Sequence, residues 1–204
     1  MIGNNSSVTE KLSPQWTNFP LKQLQGKAKY SPTVLMDHYL IAVVHESKSK
    51  EDPESLDKKV FLLAVDLRDN SIQEAQVPDS MFNNEVGYTL TKYKDNQIIK
   101  FGGVRCGRPH GDVIQMTIKS FKRIFCFFFP YLITITIALS VKCVEIADNS
   151  NDDDDPRLHG ATAQIHNDHL YVFGGTNERG DKRSELWSFD LSYFSLIKIS
   201  SHHK

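Results

Sequence analysis

The sequence predicts an all-β repeat fold of about three units, interrupted by one inserted apolar segment. Three observations predict it. First, two segments close alike, Asn96-Gln97-Ile98-Ile99-Lys100-Phe101-Gly102-Gly103 and Asp168-His169-Leu170-Tyr171-Val172-Phe173-Gly174-Gly175, each a turn signal, a short apolar strand and a glycine pair. Second, each is followed by another strand, Val113 to Thr117 and Leu186 to Asp190, and an earlier pair, His38 to His45 with Val60 to Asp66, repeats the pattern without the glycines. Third, Thr117 lies 51 residues after Asp66 while Asp190 lies 73 after Thr117. A repeat of about 50 residues therefore carries an extra block of about 22 between its second and third copies.

In chain order, residues 1–15 are polar and are expected to be disordered. Residues 16–119 hold repeats one and two, 120–143 the apolar insertion, 144–200 repeat three, and 201–204 a short tail. In both good copies the apolar strand is too short for a helix and is bounded by turn residues. Glycine at both closing positions, Gly102 with Gly103 and Gly174 with Gly175, admits positive φ and close approach of a neighbouring backbone.

These segments resemble the kelch repeat, whose units look like an apolar strand ending in Gly-Gly, a variable loop, and a strand ending in aromatic-x-aromatic-Asp. The best copy runs from Arg157-Leu158-His159-Gly160 through Val172-Phe173-Gly174-Gly175 to Leu186-Trp187-Ser188-Phe189-Asp190. Trp16 suits the family's Trp at the start of a blade's last strand, and the third copy has Tyr193-Phe194 there instead. The resemblance implies a partial kelch-type β-propeller of about three four-stranded blades. Propellers close with four to eight blades, so the chain is expected to be a truncated product or part of a larger array.

The insertion contains Ile124 to Val141, 18 residues without a charge, flanked by Lys122-Arg123 and Lys142. At about 1.5 Å per residue a helix of that length reaches the lower limit for crossing a bilayer. A span at 124–141 would divide the repeats between two sides of a membrane, although each unit needs its neighbour to bury its faces. Pro130 and the alternation Ile133-Thr134-Ile135-Thr136-Ile137 favour extended chain. The inserted segment ranks above the single-pass membrane alternative.

With 24 Lys+Arg against 25 Asp+Glu the net charge is −1, which excludes a strongly basic nucleic-acid binder. The polar start gives no expectation of a secretory signal, and Ile2 excludes myristoylation. Cys106, Cys126 and Cys143 form neither a disulfide framework nor a zinc motif, so a reducing compartment, cytoplasmic or nuclear, is expected. No cofactor or metal is expected: Asp152 to Asp155 lack an EF-hand spacing, His159, His166 and His169 straddle strand and turn, and His202-His203 lack a third ligand. No nucleophile or phosphate-binding motif is present, so catalysis is not expected, a propeller enzyme being the weakest alternative. The expected role is a protein-interaction module, a scaffold or adaptor. Its partner-binding loops are Arg105, Arg108 and His110 after the second glycine pair, and Asn177, Glu178 and Arg179 after the third.

Overall fold

The structure, a computed structural model, describes residues 32–47, 58–78, 82, 85–119, 123–128, 131–136, 140–147, 156–193 and 195–199. The expectations placed on residues 1–15, Trp16, the acidic run Asp152–Asp155 and residues 201–204 lie outside these.

Three antiparallel sheets account for most of the described chain. The first is a meander of β1 (Thr33–Met36), β2 (Tyr39–Ser47), β3 (Lys58–Asp66) and β4 (Ile72–Gln76). The second joins β5 (Glu85–Val86) and β6 (Thr89–Lys94), both paired along one edge of β7 (Gln97–Arg105), with β8 (Arg108–Lys119). After an excursion through β9 (Arg123–Phe128) and β10 (Tyr131–Thr136), β11 (Ser140–Ala147) completes it by pairing with β8. The third is β12 (Thr162–His166), β13 (His169–Phe173), β14 (Leu186–Asp190) and β15 (Ser195–Ile199), again in simple order.

The three sheets share one internal register. Tyr39 faces Asp66, Gln97 faces Thr117, and His169 faces Asp190. One residue further on, the amides of Leu67, Ile118 and Leu191 each donate 2.8 Å bonds to carbonyls in the preceding two-residue turns, those of His38, Asn96 and Asp168. Asp66 and Asp190 close the next turn in the same way, each carboxylate accepting the amide two residues on, Arg68 at 2.9 Å and Ser192 at 2.7 Å. Side-chain bonds from Arg68 hold the Asp66 carboxyl at about 2, below its ordinary value, against the upward push of burial.

Alternation along each strand buries one set of residues between the first and second sheets and another between the second and third. Ile41, Val43, Val60 and Leu62 pack with Ile98, Ile114 and Met116. Ile99, Phe101 and Val113, on the opposite face of the second sheet, pack with Leu170, Val172, Trp187 and Phe189. A smaller buried cluster, Ala42, Val44 and Leu63, lies on the face of the first sheet turned away from the second.

Two expectations are corrected. Gly102-Gly103 does not end its strand: β7 runs on to Arg105, and the register shifts between Phe101 and Gly103, so the pair forms an interior irregularity. The insertion is shorter than 120–143, because Ser140 already pairs with Lys119 and residues 140–147 belong to the second sheet. Where it is described, the apolar run is extended chain, with β9 and β10 paired antiparallel and Ile124 opposite Ile135. Among the described residues no helix is long and apolar enough to cross a membrane.

Because Lys119 and Ser140 are direct partners, the excursion starts and ends at adjacent points of one strand pair. Its removal asks nothing of the sheet. Replacing residues 121–138 with an Asn-Gly turn is expected to keep the far-ultraviolet dichroism of the parent and to lower aggregation. Loss of the β signal on deletion would show that the hairpin is integral to the fold.

Candidate functional site

The glycine pairs mark the end of the sheets at which the second and third meet. There the segment Leu158–Gly160 passes between them. Gly103 donates its amide to the Leu158 carbonyl at 3.0 Å, and Gly160 donates to the Gly87 carbonyl at 2.7 Å. His159 bridges to Thr176, and Thr176 to Lys182. The β7–β8 hairpin and the loop 174–185 are thereby tied through one crossing segment.

Two glycines are required by this packing. Gly102 has φ +63°, and a β-carbon on it would lie 2.5 Å from the Leu158 carbonyl oxygen. Gly175 has φ +89°, and its β-carbon would stand 3.0 Å from that of Ala161 and 3.1 Å from the His159 carbonyl oxygen. Both positions have a left-handed backbone; at Gly102 the neighbouring backbone is too close for a side chain, and at Gly175 it would have to give way to admit one.

Beneath this end the second sheet carries charge inside. Lys100 pairs across to Ile114, the position held by Ala42 opposite Leu63 in the first sheet and Val172 opposite Trp187 in the third. Its side chain is wholly buried, with Nζ 2.5 Å from Glu85 Oε2 and 5.4 and 5.3 Å from the ring centres of Phe82 and Tyr88. Pairing of β5 with β7 sets Glu85 opposite Arg105. Arg105 Nε donates to Glu85 Oε1 at 2.8 Å, while its Nη2 meets the same oxygen and lies 3.1 Å from Asp112 Oδ2. The His110 ring stands between the carboxylates, Nε2 3.4 Å from Glu85 Oε1 and Nδ1 3.1 Å from Asp112 Oδ2. Glu85 Oε2 and both His110 nitrogens approach their partners closely but without the alignment of a hydrogen bond.

The electrostatics follow from burial and pairing. Burial pushes the Lys100 ammonium below its ordinary value, and the Glu85 carboxylate pulls part of the way back. Asp112 would be raised by burial, but the His110 ring beside it, with the charges of Arg105 and Lys100, holds it below. Burial first, then the charge of Glu85, raise the Tyr88 phenol.

Glu85, His110 and Asp112 each offer a ligand atom, all within 4.8 Å of one another, and are the described residues able to hold a metal ion. Lys100 and Arg105 already balance both carboxylates, so a divalent ion here would add net charge to a buried site. Lys100 and Glu85 are sealed from solvent, whereas Arg105, at the rim of the cluster, is 39% exposed. What it does is fix the root of the β7–β8 hairpin.

The six loop residues thus divide. Arg105 and His110 are held by Glu85 and Asp112, whereas Arg108 is exposed on the hairpin. Asn177 shapes its loop: its Oδ1 accepts the amides of Arg179 at 3.0 Å and Asp181 at 2.9 Å, leaving Glu178 and Arg179 exposed. The buried partners Glu85, Lys100 and Asp112 are not among the residues singled out from the sequence. Lys100 had a signal, a charge at an inward position of the apolar run Ile98-Ile99-Lys100-Phe101. Glu85 and Asp112 had none, since only the strand pairing brings them together.

No family model and no curated protein matches the chain.

Proposed function

We propose that the chain is a kelch-type repeat module, a partial propeller whose loops at one end capture a protein partner and which performs no chemistry of its own. The observation that carries this reading is the recurrence, in all three sheets, of the 2.8 Å bond to the preceding hairpin turn from the residue that follows the turn-closing pair, in Leu67, Ile118 and Leu191. It supports three copies of one structural unit, stacked face to face as blades are. A rigid stack with exposed charged loops at one end suits recognition. The buried pair at the heart of the cluster accords with the non-enzymatic reading, because Lys100 and Glu85 are paired with each other and sealed from solvent. A cytoplasmic or nuclear setting accords with the cysteine usage.

The double variant Arg108→Glu with Arg179→Glu tests it. Both side chains are exposed, so the fold is expected to survive while captured partners fall by about tenfold in a quantitative pull-down. Arg105 is unsuited to this test because its loss also strips Glu85 and Asp112 of a buried counter-charge. An unchanged set of captured proteins would count against recognition by these loops.

A further inference from the structure

Between β8 and β11 the chain leaves the second sheet and returns to it, and β9 and β10 form a two-stranded sheet of their own. Their register runs from Arg123 opposite Thr136 to Phe128 opposite Tyr131. Paired residues share a face, and successive pairs alternate between faces. Ile124 with Ile135, Cys126 with Ile133 and Phe128 with Tyr131 therefore fall on one face, and Phe125 with Thr134 and Phe127 with Leu132 on the other. Neither face has the charged residues of a solvent side. Between Asp112 and Glu145 the sequence holds no carboxylate and four bases, Lys119, Lys122, Arg123 and Lys142, each at or beside the strand ends where the excursion begins and returns. The ladder thus has an uncharged, aromatic far end and a basic root.

We propose that this ladder is a shallow membrane anchor, its far end entering the surface of an anionic bilayer and its basic root resting on the phospholipid headgroups. Two features select lipid over another protein. A further sheet would cover one face and leave the other in water, whereas acyl chains cover both at once. The root carries bases alone, which anionic headgroups attract and an apolar docking surface does not. The strand pairing also excludes a span, because Lys119 opposite Ser140 brings both ends of the excursion back to one point and keeps the sheets on one side of the bilayer. Strands of 6 residues reach about 20 Å at roughly 3.3 Å per residue, short of a hydrocarbon core about 30 Å thick. The outer edges of β9 and β10, unpaired among the described residues, carry amides and carbonyls that hydrocarbon does not satisfy. Entry therefore stops at the boundary of headgroups and acyl chains, about 5–10 Å deep, a depth matched by the pairs Phe128 with Tyr131 and Phe127 with Leu132. The loops around Arg108 and Arg179 take no part, so membrane attachment and partner capture are separate properties.

Flotation of the full chain with phospholipid vesicles tests the anchor. Phosphatidylcholine vesicles containing about one-third phosphatidylserine are expected to carry the parent about tenfold better than phosphatidylcholine alone, an advantage that high salt removes. Phe127→Glu with Leu132→Glu is expected to lower flotation by about tenfold or more, and Arg123→Glu with Lys142→Glu to abolish the preference for phosphatidylserine. The chain with residues 121–138 replaced by Asn-Gly is expected to stay out of the lipid fraction while keeping the dichroism of the parent. If that replacement loses its β signal, the Phe127 and Leu132 variant carries the test, because both residues lie outside the three larger sheets. A parent absent from the lipid fraction, equal flotation with neutral vesicles, or flotation unaffected by these substitutions would overturn the proposal, as would a parent that associates with itself in preference to lipid. Arg108→Glu with Arg179→Glu should float as the parent does, so failure of the anchor and failure of loop recognition are read separately.

Discussion

Replacing Glu85 by alanine is expected to destabilise the fold by about 3–5 kcal/mol, because it leaves Lys100 buried without its counter-charge. Among the described residues, what remains near that ammonium is the Gly102 carbonyl at 3.4 Å, the faces of Phe82 and Tyr88, and the weaker pull of the Asp112 charge. Arg105 loses its main acceptor in the same step and keeps only Asp112 among the carboxylates of the cluster. For a chain of this size the loss corresponds to roughly 6–20 °C in thermal midpoint. The physical claim is separable from mere truncation. Glu85→Leu combined with Lys100→Met removes both charges and keeps the volume, and this pair is expected to recover most of the stability, since an apolar replacement of a buried ion pair is often neutral or better. Urea unfolding of the single and double variants decides between the accounts. A single variant within about 1 kcal/mol of the parent would mean that Lys100 is not charged in the fold, or that water reaches it.

The repeat was legible because it is written in local chemistry. Turn residues, apolar strands and the closing Asp66 and Asp190 lie within a few residues of the groups they bond, as in the contacts of Asp66 with Arg68 and of Asp190 with Ser192. Spacing alone located the excursion between β8 and β11. Its far boundary was misplaced because Ser140 and Val141 continue the uncharged run, and only the pairing of Ser140 to Cys143 with Lys119 to Met116 assigns them to the second sheet. The second glycine pair was misplaced for a related reason. Gly-Gly signals a departure from extended geometry but does not say whether the chain turns away or bulges and continues, as β7 does to Arg105. The charged cluster lay further from reach. Glu85 is 15 residues from Lys100 and 27 from Asp112, and their meeting depends on a two-residue strand no periodicity announces. Loop residues chosen by exposure and charge thus included Arg105 and His110, whose partners are internal.

Gly102→Ala is the second substitution expected to have a large effect, about 2–4 kcal/mol, and its cause is the close passage of another segment. Two terms act together. Alanine at φ +63° costs roughly 1–2 kcal/mol for its left-handed backbone wherever it occurs. The remainder is steric, since the new β-carbon would lie 2.5 Å from the Leu158 carbonyl oxygen and 3.3 Å from that of His110, both backbone atoms that no rotamer change can withdraw. The oxygen it meets is the one that accepts the Gly103 amide at 3.0 Å, so relieving the contact stretches the bond that joins the second sheet to the segment leading into the third. Gly107→Ala supplies the control. Its φ of +79° is equally left-handed but no atom lies within 4 Å of the added carbon, so only the backbone cost should appear. The difference between the two variants therefore measures the close approach itself. Faster hydrogen exchange at the Gly103 amide in Gly102→Ala, with no change in Gly107→Ala, would locate the damage at this junction. Equal losses in both would mean that the segment at Leu158 steps aside at no cost and that the close approach does not hold the second sheet to the third.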